Sequence, residues 1–252
     1  MSGSGSQAVL AGGSREAAVI RGGYMAAAGN LTSIPRRTAN TKRDTISRLL
    51  EVAKMEFTEK GLDGARIDEI ARRAGITKQL IYHYYGSKEE LFTAIIEETA
   101  ASAMAEFVVL ELDHLPPAEA LRAFLYHVFD QYQRYPFLAT SVVEENRQHG
   151  VHVSARNEFP HLTPLVWSKL GRILDRGVRS GEFRTGLDPT RLLATFTLLM
   201  GGCFIHGYCL SVMMHLDLST AAGKKIWREH AANFILAAVR ACDQAPQLQA
   251  DP

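Results

Sequence analysis

Arg66-Ile-Asp-Glu-Ile-Ala-Arg-Arg-Ala-Gly-Ile-Thr-Lys-Gln-Leu-Ile-Tyr-His-Tyr-Tyr85 is the stretch whose periodicity decides the fold. Ile67, Ile70, Ala71 and Ala74 fall at i, i+3, i+4 and i+7, an apolar stripe at helical period. Asp68, Glu69, Arg72 and Arg73 take the wet side. Gly75 follows where a helix commonly ends in a left-handed residue. Thr77 is placed to cap a second helix, its hydroxyl accepting from a free backbone N–H. At about 100° per residue, Lys78, Gln79, Tyr82 and His83 share one arc of that helix. Leu80, Ile81, Tyr84 and Tyr85 share the opposite arc and are expected to pack on the first helix. The polar arc carries a cation, an amide, a phenol and an imidazole, a set suited to phosphate oxygens and base edges. An amphipathic pair in any helical protein would explain the stripe but not that set. The pattern therefore predicts a helix-turn-helix whose second helix enters a DNA major groove. Gln79 has the amide that reads adenine, and Lys78 reaches guanine or a phosphate. His83 is a further candidate base contact. Thr77, Tyr82 and Lys88 are expected to position the helix on phosphates.

Ile70-Ala71, Ala74-Gly75-Ile76-Thr77, Ile81-Tyr82, Tyr85 and Ser87-Lys88-Glu89-Glu90-Leu91 together resemble the TetR family of bacterial transcriptional regulators, over residues 42–96. The resemblance implies a homodimeric, all-helical repressor or activator. Its small domain would bind a palindromic double-stranded DNA operator and its larger domain a small-molecule effector. Carried over by position, Thr77, Lys78, Gln79, Tyr82, His83 and Lys88 face DNA. Arg66 stands where threonine is usual, so a longer cation joins that set. Leu80 replaces a small residue, and Tyr85 replaces the usual phenylalanine.

Charge is distributed as this reading requires. Residues 36–88 hold twelve Lys/Arg against seven Asp/Glu, and residues 89–252 hold fourteen against nineteen. A basic amino-terminal part beside an acidic remainder fits a DNA-binding head on a body that does not bind DNA. Three cysteines, Cys203, Cys209 and Cys242, cannot all pair, which suits a reducing cytoplasm. No apolar run reaches membrane-spanning length; the longest candidate, 192–210, is broken by threonines, a histidine and glycines.

The fold is expected to be all-α: a three-helix DNA-binding head plus a larger helical domain for ligand binding and dimerisation. Residues 1–40 read as a disordered basic arm, 41–87 as the head and 88–245 as the body. Arg36, Arg37, Lys42 and Arg43 would reach phosphates or a minor groove, or simply be solvated. Thr41 caps the first helix, whose core stripe is Ile46, Leu49, Leu50, Ala53 and Phe57 and whose end is Gly61. Ser87 opens a long linking helix with inner face Leu91, Ile95, Thr99 and Phe107. Five body helices follow, at about 117–134, 136–148, 162–180, 189–214 and 219–243. The last two are apolar over broad faces, and Gly201, Gly202 and Gly207 would admit another helix closely. They are expected to form a four-helix dimer interface, or else intramolecular core.

Other constellations invite chemistry. Cys203, His206 and Cys209 share one arc of a continuous helix, but such residues read as core more readily than as a zinc site. No metal or cofactor is expected. Glu144, Glu145, Asn146, His149 and His152 could suggest acid–base chemistry, yet no nucleophile motif or phosphate loop accompanies them. They read instead as a solvated helix end, or as one wall of an effector pocket. Tyr126, Phe129, Tyr132, Phe137, Phe159, Trp167 and Met200, with Asn146 and His206, are candidates to line that pocket. The reading is thus a cytoplasmic, ligand-responsive repressor rather than an enzyme; a DNA-binding protein without a ligand is the alternative.

Overall fold

The computed structural model of the chain describes residues 36–150 and 159–241. Among them are ten helices and no strand. Residues 1–46 and 47–252 form two compact units, and of the first only 36–46 are described.

Helix α1 (Arg36–Gly64) begins five residues before the expected Thr41 cap, inside the segment expected to be an arm. Pro35 precedes it in sequence, and proline is tolerated at a helix start because its missing N–H would be unpaired there anyway. Gly61, at φ 67° and ψ −179°, interrupts α1 before a last short turn. Helices α2 (Ile67–Ala74), α3 (Lys78–Tyr85) and α4 (Lys88–Val109) follow. Leu49, Ala53, Phe57, Ile70 and Ile81 are buried together, as the periodicity required. Their core does not close at residue 87. Leu91, Phe92 and Ile95 of α4 and Phe137 of α6 (Phe137–Arg147) complete it. Phe92 meets Phe57 and Phe137 edge-on at 5.1 and 5.3 Å, a favoured aromatic geometry.

The body adds α5 (Pro117–Arg134), α6, α7 (Phe159–Arg179), α8 (Pro189–Ile205), α9 (Gly207–Met214) and α10 (Ala221–Val239). Phe124, Leu125, Leu170, Ile173, Phe196, Met200 and Ile235 form its centre. Helix α7 fastens the far end of α4: Lys169 Nζ donates to the carbonyls of Phe107, Val108 and Leu110. Those carbonyls are among the groups a helix end leaves unpaired.

The expected single helix at 189–214 is two. The chain breaks at His206, and α9 departs from α8 by 85°. The break separates Cys203 from Cys209, so the arc drawn for a zinc site on one continuous helix does not exist. Cys203 is buried, and burial pushes its thiol up to about 11. Cys209 is exposed, and Cys242 lies outside the described residues. Gly201 serves the protomer itself: a Cβ there would sit 2.8 Å from the Tyr132 ring. No single helix among the described residues is long and apolar enough to cross a membrane.

Candidate nucleic-acid interface

The turn between α2 and α3 is built as its sequence requires. Gly75 is left-handed (φ 67°, ψ 36°), and its N–H reaches the carbonyls of Ala71 and Arg72. The Thr77 hydroxyl accepts from Leu80 N–H at 3.3 Å and starts α3. Ile81 is fully buried and anchors that helix. Leu80, Tyr84 and Tyr85 are half-buried around it, and burial pushes the Tyr85 hydroxyl up to about 12. The opposite face of α3 presents Lys78, Gln79, Tyr82 and His83 to solvent together. Tyr82 is 40% exposed, a large aromatic held at the surface of an eight-residue helix. His83 leans on Tyr84 with ring centroids 5.5 Å apart.

The cations of this face are held in place. Lys78 Nζ pairs with Asp68 at 3.0 Å. Both partners are exposed, and such pairs contribute at most about 1 kcal/mol, so a phosphate or guanine acceptor can displace the carboxylate. Arg66 is exposed before α2, and its side chain makes no capping hydrogen bond. Lys88 is half-buried, its Nζ donating to the carbonyls of Asp63 and Ala65 at 3.3 and 3.4 Å. Lys42 and Arg43 are exposed on α1; Arg36 and Arg37 form its first turn.

Two carboxylates missed in the sequence fix the head. Glu56 is completely buried and accepts from Lys60 Nζ (2.7 Å), Arg66 N–H (3.3 Å) and Arg73 (3.3 Å). Burial alone would raise its pKa. The hydrogen bonds from Lys60 and Arg66, with the charges of Lys60 and Arg73, outweigh burial and hold it below its ordinary 4.5. The folded state therefore binds this proton less readily than the unfolded chain. The stabilisation is complete above about pH 4.5 and is lost as pH falls through the folded value. Denaturant titration across the acid range is expected to show the wild type losing stability more steeply as pH falls than Glu56→Gln, which is less stable at neutral pH and approaches the wild type only once Glu56 is protonated.

Glu144 is the second. Its expected place at a solvated helix end is overturned: it is buried on α6, and its Oε1 accepts Leu62 N–H at 3.1 Å. Arg147 bridges the Glu144 and Asp63 carboxylates at 2.9 Å each. Only at a glycine does the carboxylate fit this close, since a Cβ on Gly61 would sit 2.7 Å from Oε1. Body helix α6 is thereby bonded to the turn that ends α1. His149 is exposed beyond α6 with φ 55°, and His152 lies outside the described residues.

The opposite side of α6 faces a cavity of about 400 Å³ between α4, α5, α6, α7 and α8. Of the residues expected to line a pocket, Tyr132 and Asn146 do so. Tyr126 lies 4.4 Å beneath the Arg228 guanidinium. Phe129 packs on Phe204, and Met200 is central core. Trp167 and His206 are exposed elsewhere. Glu145, of the group also read as one wall of an effector pocket, lines it too, and Phe107, Gln131, Ser141 and other α4–α8 residues make the rest of the wall. A break at residue 206 and the aromatic pairing inside the body are tertiary outcomes with no local signal.

A helix-turn-helix with a solvated polar recognition face, carried by a small head on an all-helical body, defines a DNA-binding transcriptional regulator. The comparisons agree. Residues 49–95 match the description "Bacterial regulatory proteins, tetR family", and residues 117–235 match "Tetracyclin repressor-like, C-terminal domain". The chain belongs to the TetR family of transcriptional regulators and is not an enzyme. It is 28% identical to the HTH-type transcriptional repressor NicS of Pseudomonas putida over 212 residues, spanning 83% of this chain and 97% of that one. It is 28% identical to the repressor KstR2 of Rhodococcus jostii over 167 residues, 63% and 77% of the two chains. Its fold resembles the transcriptional regulator SCO4942 of Streptomyces coelicolor (TM-score 0.56, 24% identity, 77% and 98% covered). It also resembles FadR of Bacillus subtilis solved with stearoyl-CoA (TM-score 0.50, 18% identity, 77% and 100% covered).

Proposed function

We propose that the protein is a cytoplasmic, ligand-responsive repressor that binds a palindromic operator as a homodimer. The observation that carries this reading is the joint exposure of Lys78, Gln79, Tyr82 and His83 on one face of α3. Lys78 and Gln79, with His83, address base edges; Thr77, Tyr82, Lys88 and Arg66 seat the helix on phosphates. Two heads on a two-fold axis read half-sites roughly 34–36 Å apart. The named relatives, which are repressors, support that sign of regulation.

Dimerisation is supported by the faces of α8, α9 and α10 that one protomer leaves bare. Leu198, Tyr208, Val212, Met213, Ile226 and Phe234 are all exposed, and an apolar patch of this kind marks an interface. The cavity supports the effector and counts against a DNA-binding protein with a fully packed body. Leu138, Ser141 and Asn146 on α6 line it, while Glu144 and Arg147 of the same helix hold the head. A ligand that binds better with α6 displaced would bias the head spacing by its differential affinity for the two states.

Selection of bound fragments from genomic DNA tests the reading. The wild type is expected to enrich inverted repeats, and Gln79→Ala to relax the preference at one position per half-site, where adenine is the expected base. An unchanged enrichment profile would remove Gln79 from base readout.

A further inference from the structure

Lys78 is held on the reading face by a residue outside the DNA-facing set. Asp68 stands in the first turn of α2. Lys78 Nζ lies 3.0 Å from one oxygen of its carboxylate and donates to the other at 3.2 Å. The same ammonium lies 6.0 Å from the centroid of the Tyr82 ring, within cation–π reach. Asp68, Lys78 and Tyr82 are all exposed. A carboxylate therefore stands on the surface that is to meet a polyanion, where it opposes the phosphate contacts that make up nearly all non-specific binding. What it changes is the kind of acceptor Lys78 can take.

An ammonium has three N–H donors. One kept on Asp68 leaves two, the number a guanine takes at O6 and N7. Guanine is neutral, so it can share the ammonium with the carboxylate. A phosphate oxygen carries a negative charge of its own. It either sits beside the Asp68 carboxylate and is repelled, or displaces it and leaves that carboxylate unpaired next to the DNA backbone. We propose that Asp68 is a positioning residue that keeps Lys78 off phosphates and commits it to a guanine. This rests on the reading of α3 as the helix that enters the groove. Asp68 then adds specificity by penalising the wrong acceptor rather than by touching DNA itself.

Fragment selection and fluorescence anisotropy on the full chain test it, with the wild type, Asp68→Asn, Asp68→Glu and Lys78→Ala. Lys78→Ala is expected to abolish a guanine preference at one position of each half-site. Asp68→Asn is expected to lower that preference about fivefold and to raise affinity for a random duplex about two- to fivefold. The log–log salt slope on random DNA is expected to steepen by about 0.9 per bound head, as Lys78 becomes a phosphate contact. Asp68→Glu keeps the charge and is expected to retain most of the preference. A carboxylate that only supported the start of α2 would lower thermal stability and shift operator and random affinities together. The proposal is overturned if Lys78→Ala leaves every guanine preference intact, if Asp68→Asn leaves the operator-to-random ratio unchanged, or if Asp68→Asn weakens binding to random DNA. A wild type that binds no duplex overturns the regulator reading and this proposal with it. Wild-type binding with a ratio indifferent to Asp68 overturns this proposal alone.

Discussion

Replacing Leu198 and Phe234 together by glutamate is expected to yield a monomer that has lost about 10²- to 10⁴-fold in operator affinity. Both side chains stand in solvent in the single protomer, 71% and 60% exposed. Substitutions at such positions typically change the stability of the fold by less than about 0.5 kcal/mol. In the proposed dimer both become interface. Four carboxylates, two from each protomer, would then be buried in an apolar seam without partners, at a cost of several kcal/mol each. The affinity loss follows from geometry rather than from any damaged DNA contact. A second head tethered to the first binds its half-site at high effective concentration, and a monomer forfeits that gain. Light scattering across a concentration series gives the assembly state, and fluorescence anisotropy with a full palindrome and an isolated half-site gives the affinities. The monomer is expected to bind both duplexes equally weakly. A variant that remains dimeric would place the interface elsewhere.

Glu144→Ala is expected to lower stability by about 2 kcal/mol and to weaken the response of DNA binding to ligand. The alanine strands Leu62 N–H in a buried place and releases Arg147 from one of its two carboxylates. Glu144→Gln keeps an acceptor for that N–H while losing the charge, so about half of the stability should return. The functional consequence follows from what α6 touches. Its Ser141 and Asn146 face the cavity, and its Glu144 grips the end of α1. Severing the grip leaves ligand binding intact but reduces the coupling free energy, which for such systems is about 1–3 kcal/mol. Denaturant titration reads the first effect. Operator affinity with and without a saturating cavity ligand found by thermal-shift screening reads the second. Unchanged coupling in Glu144→Ala would show that the head is controlled through α4 alone.

The head was largely legible because its signals are local. A stripe of Ile67, Ile70, Ala71 and Ala74, a glycine at a left-handed cap and a threonine at an N-cap each act within one or two turns. The polar arc of α3 is exposed as its spacing required. The Leu91, Ile95, Thr99 and Phe107 face of α4 is buried as read. The pocket was much less legible. Tyr132 and Asn146 line it, but Phe129 and Met200 went to the packed centre because aromatic and thioether side chains at helical spacing serve a core and a cavity equally well. Glu144 looked like an ordinary charge near a helix end. Its partner, Leu62 N–H, lies 82 residues away and became available only because Gly61 halts the helical hydrogen-bonding of α1. Glu56 was hidden for the same reason, since its burial depends on Arg66 and Arg73 folding back from α2.

The central claim is that the exposed face of α3 reads DNA. Hydroxyl-radical footprinting on a selected genomic fragment at low ionic strength tests it most directly, with the wild type beside a Lys78→Ala, Gln79→Ala, Tyr82→Ala triple variant. All three side chains are exposed, so the variant is expected to fold and dimerise like the parent. The account predicts two protected patches roughly 34–36 Å apart for the wild type and none for the variant at the same concentration. Equal protection by both proteins, or no protection by either, would contradict it.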